Sequence, residues 1–132
     1  MPKTTKIMVA ALLLFALGNT AAFASSNWEG SADGSCGGIN PFVPWEGTLD
    51  ETTGPHAFMG FWGNDQFKYV YGDVDSTVSG VKWLSGDWYY NNTDRGDWVG
   101  YFDESGDDAA GDWWATADSS SCNGAWWGNL AD

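Results

Sequence analysis

The segment Gly96-Asp97-Trp98-Val99-Gly100-Tyr101-Phe102-Asp103 decides the fold. It alternates with period two, the period of a β-strand, so Gly96, Trp98, Gly100 and Phe102 share one face while Asp97, Val99, Tyr101 and Asp103 share the other. The first face reads as core. A second copy, Gly124-Ala125-Trp126-Trp127-Gly128-Asn129-Leu130, turns Gly124, Trp126, Gly128 and Leu130 inward and Ala125, Trp127 and Asn129 outward. Trp28-Glu29-Gly30 and Trp45-Glu46-Gly47 begin in the same way, and Gly-x-Trp steps recur at Gly60, Gly86 and Gly111. Their irregular spacing excludes a solenoid of fixed period. A glycine inside a strand costs backbone entropy and packs nothing itself, which makes sense if each one leaves room for a Trp ring on a neighbouring strand.

That idea predicts a register. Gly100 pairs with Trp113, Trp98 with Ala115 and Phe102 with Gly111; Trp113 also faces Gly128, and Trp88 sits beside Gly100, giving an inner checkerboard of large and small residues. Clusters of Gly, Asn, Asp and Ser cut the chain into strands near 42–49, 57–62, 67–73, 78–84, 86–91, 97–103, 110–117 and 122–130. No stretch beyond the N-terminal leader has helical periodicity. The expected fold is all-β, a small antiparallel meander of about eight strands that curls into a barrel or folds into a sandwich. Residues 42–132 form its single domain, and 25–41 are a Gly/Ser-rich segment, irregular over 31–40.

Two families offer a partial resemblance. MORN-type hairpin repeats also alternate Gly with aromatic residues, but with a near-constant period and a Tyr-Gly framework that this chain lacks. Avidin-type barrels resemble it as exported, Trp-rich eight-stranded meanders with an opening Gly-x-Trp strand; their polar biotin-contacting set does not map onto this sequence. Neither resemblance assigns a function.

Residues 1–24 read as a signal peptide. Lys3 and Lys6 precede an apolar run over 7–17, and Ala22-Phe23-Ala24 supplies small residues at a cleavage site. The run breaks at Gly18-Asn19-Thr20, too early for a membrane anchor. The expected location is therefore periplasmic or secreted. Cleavage leaves three basic residues against 18 carboxylates, a net charge of −15. Nucleic acid is a poor partner for such a chain. Ten Trp, five Tyr and seven Phe exclude a disordered acidic tail. Cys36 and Cys122, the only cysteines, pair most simply as one disulfide in an exported protein.

The sequence shows no catalytic constellation, and a non-catalytic protein is the expectation. With 18 carboxylates some pair falls close together in any fold, so a glycosidase-like dyad is a weak reading. Asp103, Glu104, Asp107 and Asp108 crowd one loop as candidate calcium ligands, without EF-hand spacing, against the alternative of a solvated acidic face suited to a salty habitat. Tyr89, Tyr101, Trp114 and Trp127 fall on the outward face of four successive strands, with Trp114 expected opposite Trp127. An exposed aromatic row marks a binding surface, unless the N-terminal segment covers it. Ringed by Asp and Asn, this row suits carbohydrate or cell-envelope glycan. The alternative is an acidic inhibitor or partner for a basic protein such as lysozyme, reached by electrostatic steering. A glycan-active enzyme is the third reading.

Overall fold

The computed structural model describes residues 25–36, 43–52, 54–63 and 67–131. The leader read at 1–24 lies outside the described residues. Every helix or strand among the described residues is an antiparallel strand: β1 (Ser26–Ala32), β2 (Ser35–Cys36), β3 (Val43–Leu49), β4 (Phe58–Trp62), β5 (Lys68–Val78), β6 (Val81–Tyr90), β7 (Thr93–Asp103), β8 (Asp108–Ala115) and β9 (Cys122–Ala131). Neighbours pair in the order β1-β3-β4-β5-β6-β7-β8-β9, and β1 then pairs with β9, so eight strands close a barrel. Closure leaves none of these eight strands at an edge. The short β2 continues β1 after a break at Asp33-Gly34 and pairs with the start of β9, where Cys36 is disulfide-bonded to Cys122.

The strand count agrees with expectation only through compensating differences. The stretches 78–84 and 86–91 form one strand, β6, and the hairpin before it turns at Ser79 and Gly80, both at positive φ, as a two-residue loop requires. Asp75-Ser76, which reads as a turn, is a bulge within β5 where the register steps between Val74 and Ser76. Conversely, Ser26–Ala32 and Ser35–Cys36 are strands in a segment expected to be irregular over 31–40. They do not cover the outer wall. They close the barrel.

The inward face is as the alternation requires: Trp28, Trp45, Leu49, Phe58, Leu84, Trp98, Phe102, Ala109 and Trp126 form the buried core. The register is not. Gly100 pairs with Gly111, Trp98 with Trp113 and Phe102 with Ala109; Trp113 pairs with Gly124 and Trp88 with Gly96. The reason is the length of an indole. Trp98 on β7 lies across its lateral partner Gly86 on β6 and donates its N–H to the carbonyl of Tyr71 on β5, 3.1 Å away. A Cβ on Gly72 would strike that ring. Trp126 on β9 crosses Gly111 on β8 to reach the carbonyl of Val99 on β7 at 3.1 Å, over Gly100. Trp45 on β3 crosses Gly30 on β1 to the carbonyl of Trp127 on β9 at 3.2 Å, over Gly128. The glycines do make room for tryptophans, and each of these Trp residues has a glycine as a lateral partner, but the ring also covers a second glycine one strand further on, so Gly100 faces Gly111 and not Trp113.

Three further tryptophans lean the other way. Trp62 on β4 donates to the carbonyl of Tyr89 on β6 at 3.0 Å, Trp88 on β6 to that of Trp114 on β8 at 3.0 Å, and Trp113 on β8 to that of Asp33 at 2.8 Å. The two sets sit on strands of opposite direction. A local two-fold axis normal to the sheet relates antiparallel neighbours, so one local conformation gives both leans. The rings therefore lie along the wall and leave the barrel axis open.

Candidate functional site: the barrel interior

Two tiers of tryptophan line the open axis. The inner tier is buried and joins edge to face, with Trp45 to Trp126 at 5.6 Å and 89° and Trp98 to Trp126 at 5.7 Å and 84°. The outer tier is half-buried and repeats the geometry, with Trp62 to Trp88 at 5.6 Å and 89° and Trp88 to Trp113 at 5.7 Å and 88°. Such edge-to-face contacts are the favoured aromatic arrangement and fix the rings against one another. Trp28 and Phe102, 5.0 Å apart, with Phe58, Leu84 and Leu49, fill the far end. Between that plug and the opposite mouth lies a cavity of about 730 Å³. This falls within the range of small-molecule sites.

The chemistry of the lining is one-sided. All six indole N–H groups of the two tiers are taken by main-chain carbonyls, and among the described residues no buried side-chain nitrogen or oxygen lacks a partner. The interior thus presents carbon surfaces and no waiting donor or acceptor. Among the described residues polar side chains enter the lining only at the mouth: Asp33, Lys68, Tyr90, Arg95 and Asp118. A hydroxyl-rich ligand inside would lose its water and find few partners, a heavy cost for each group. An apolar one gains.

The chain matches no protein family, curated protein or solved structure.

The four outward aromatics are not one row. Trp127 lies opposite Ala110, whose other neighbour is Tyr101, so these two share a level with Trp83, whose ring is 5.4 Å from that of Tyr101. Trp114 lies between Asp97 and Asn123, not opposite Trp127 as the expected register had it, and Tyr89 lies between Tyr69 and Asp94. A hydrogen bond from the Tyr101 phenol to Asp108, 2.7 Å, holds that phenol above its usual pKa, and burial does the same for Tyr89. The neighbouring pairs Trp113-Trp114 and Trp126-Trp127 do split between lumen and outer wall, as period two demands.

The acidic loop between β7 and β8 uses its carboxylates separately. Asp103 accepts from the Ser105 hydroxyl at 2.8 Å and from the amides of Ser105 and Gly106 at 3.1 Å, bonds that hold it below the usual carboxylate range. Asp107 turns to the amide of Leu130 and Asp108 to Tyr101, while Glu104 is exposed. Among the described residues no three metal-type side chains stand together.

One carboxylate on the outer wall is strongly perturbed. Burial pushes Asp87 up to about 6, aided by its hydrogen bond with Asp97 and the charges of Asp94 and Asp97, against a smaller pull from His56. Because the folded-state pKa lies above the unfolded one, this group stabilises the fold at low pH and the contribution is lost as pH rises through about 6. Asp87→Asn should flatten the fall in melting temperature between pH 4.5 and 7.5, by an effect of order 1 kcal/mol after solvent screening. Parallel pH profiles of the two proteins would refute the raised pKa of Asp87.

What the sequence reading missed are the mouth residues. Lys68 carried a visible signal, since it stands in phase with inward Val70 and Gly72. Arg95 carried none, because by strict alternation beside Gly96 it belongs outside.

Proposed function

We propose that this protein is an exported, non-catalytic binding barrel whose ligand, a small and largely apolar molecule, sits inside the barrel and not on its outer wall. The observation that carries this reading is the double tier of tryptophans around an open axis with every indole N–H already bonded. Eight strands enclose a lumen that side chains can just fill, and here the rings lie flat against glycines instead of filling it. Export accords with the Cys36 to Cys122 disulfide, a feature of oxidising compartments. No helix among the described residues is long and apolar enough to cross a membrane.

Binding of the neutral fluorophore N-phenyl-1-naphthylamine tests the proposal. Saturable binding near one probe per chain is expected, with energy transfer from tryptophan, and Val70→Phe, which extends into the lumen beside Trp88, should weaken it. Trp114→Ala and Trp127→Ala should leave it unchanged. The outer wall supports the rival carbohydrate reading through Trp83, Tyr101 and Trp127, and a glycan array on the same two outward variants separates the readings. Sugar binding abolished by those substitutions, with no uptake of the apolar probe, would overturn the interior site.

A further inference from the structure

We infer that the ligand is an anionic amphiphile, with its apolar body against the tryptophans and its negative group at the mouth between Lys68 and Arg95; this rests on the interior-binding reading above. The described residues include three cations. Lys82 is ion-paired to Glu51 at 2.6 Å and lies outside the cavity lining. The other two line the cavity. Lys68 Nζ stands 4.8 Å from the centre of the Trp62 ring and 5.6 Å from that of Tyr90, and Arg95 Cζ is 5.6 Å from the same Tyr90 ring. Two like charges are thus gathered around one ring at the opening of an apolar chamber, in a chain with 18 carboxylates and a net charge of −13. An anion seated there would face both.

The placement of Arg95 is built into the backbone. The register between β6 and β7 steps from Trp88 opposite Gly96 to Tyr89 opposite Asp94, which leaves Arg95 as the extra residue of a bulge. Bulges re-aim side chains, and this one brings to the lumen a residue that alternation would send outside. Two hydrogen bonds hold it: the Gly96 amide donates to Asp94 Oδ1 at 3.1 Å, and the Thr116 amide to the Arg95 carbonyl at 3.0 Å. The two acids of the mouth are occupied by their own surroundings. Asp33 Oδ1 accepts from the Ala125 amide at 3.2 Å, and Asp118 accepts from the hydroxyls of Ser120 and Ser121. A guanidinium and an ammonium beside an apolar opening suit a carboxylate, sulfonate or phosphate monoester on a hydrophobic body.

Two fluorophores test this directly. N-phenyl-1-naphthylamine and 1-anilinonaphthalene-8-sulfonate share one ring system and differ by a sulfonate. The sulfonate is expected to bind about tenfold more tightly at low salt, with an advantage that shrinks as sodium chloride screens the contact. If the chain's overall negative field dominated instead, salt would strengthen binding of the sulfonate. The double variant Lys68→Gln/Arg95→Gln should lose the advantage, read as the ratio of the two probes' affinities within that variant, while Lys68→Arg/Arg95→Lys retains it. Near-ultraviolet circular dichroism of each variant reports whether the rings stay packed, and the wild-type comparison of the two probes needs no variant. Equal or tighter binding of the neutral probe by the wild type, or a sulfonate advantage that survives the double Gln substitution, overturns the inference while leaving the interior site standing. Binding of neither probe overturns both.

Discussion

Trp126→Ala should lower the stability of the barrel by about 3–5 kcal/mol, the usual cost of deleting a buried Trp. The side chain is 7 % exposed, meets Trp45 and Trp98 edge to face and tilts onto Phe102 at 5.5 Å. Without it Gly111 and Gly100 have no ring above them, the Val99 carbonyl loses its indole partner, and the backbone cannot collapse into the gap because closure fixes the wall. For a domain of this size the melting temperature should fall by roughly 15 °C or more. Trp127→Ala is the internal control. Trp127 is 40 % exposed on the outer wall, and its truncation should cost about 1 kcal/mol or less. Equal losses at the two positions, read by calorimetry, would mean that lumen and outer wall have been exchanged.

The second large effect concerns the disulfide. Cys36 and Cys122 close a loop with a sequence separation of 86, and its chain-entropy contribution is at most about 4.5 kcal/mol. Cys36→Ala/Cys122→Ala is the suitable variant, since Cys122 is buried and a serine hydroxyl there would need a partner. Both cysteines also line the cavity mouth, so weaker probe binding should accompany the lower melting temperature. Unchanged thermal stability in the double variant, or free thiols in the exported protein, would remove the bond from the account.

That Trp98, Phe102, Trp113 and Trp126 face the lumen was legible from period two alone, because they stand in phase with the glycines. The register was not legible. Each ring crosses one glycine and ends over a second on the strand beyond, and alternation alone does not say which of the many glycines is the lateral partner. The strand Ser26–Ala32 showed only as the Trp28-Glu29-Gly30 copy of the pattern and was not placed among the eight strands, because its stability comes from pairing with both β3 and β9 and not from its Ser- and Gly-rich composition. The candidate site moved from the outer wall to the lumen because alternation tells which side chains point inward but not whether they fill the space they enclose. The bulge at Arg95 is a length difference between paired strands, visible only once the pairing is known.

The seam between β1 and β9 sets Asn27 opposite Ala131, so the first and last strands begin and end together at the plugged pole, away from the mouth. A tether, affinity tag or display anchor joined before Ser26 or after Ala131 would hold the molecule by its base and leave the opening facing solution. The same proximity makes the polypeptide close to a ring. A short peptide bridging these ends, with new ends cut at the two-residue Ser79-Gly80 turn, should give a permuted barrel with the same lumen.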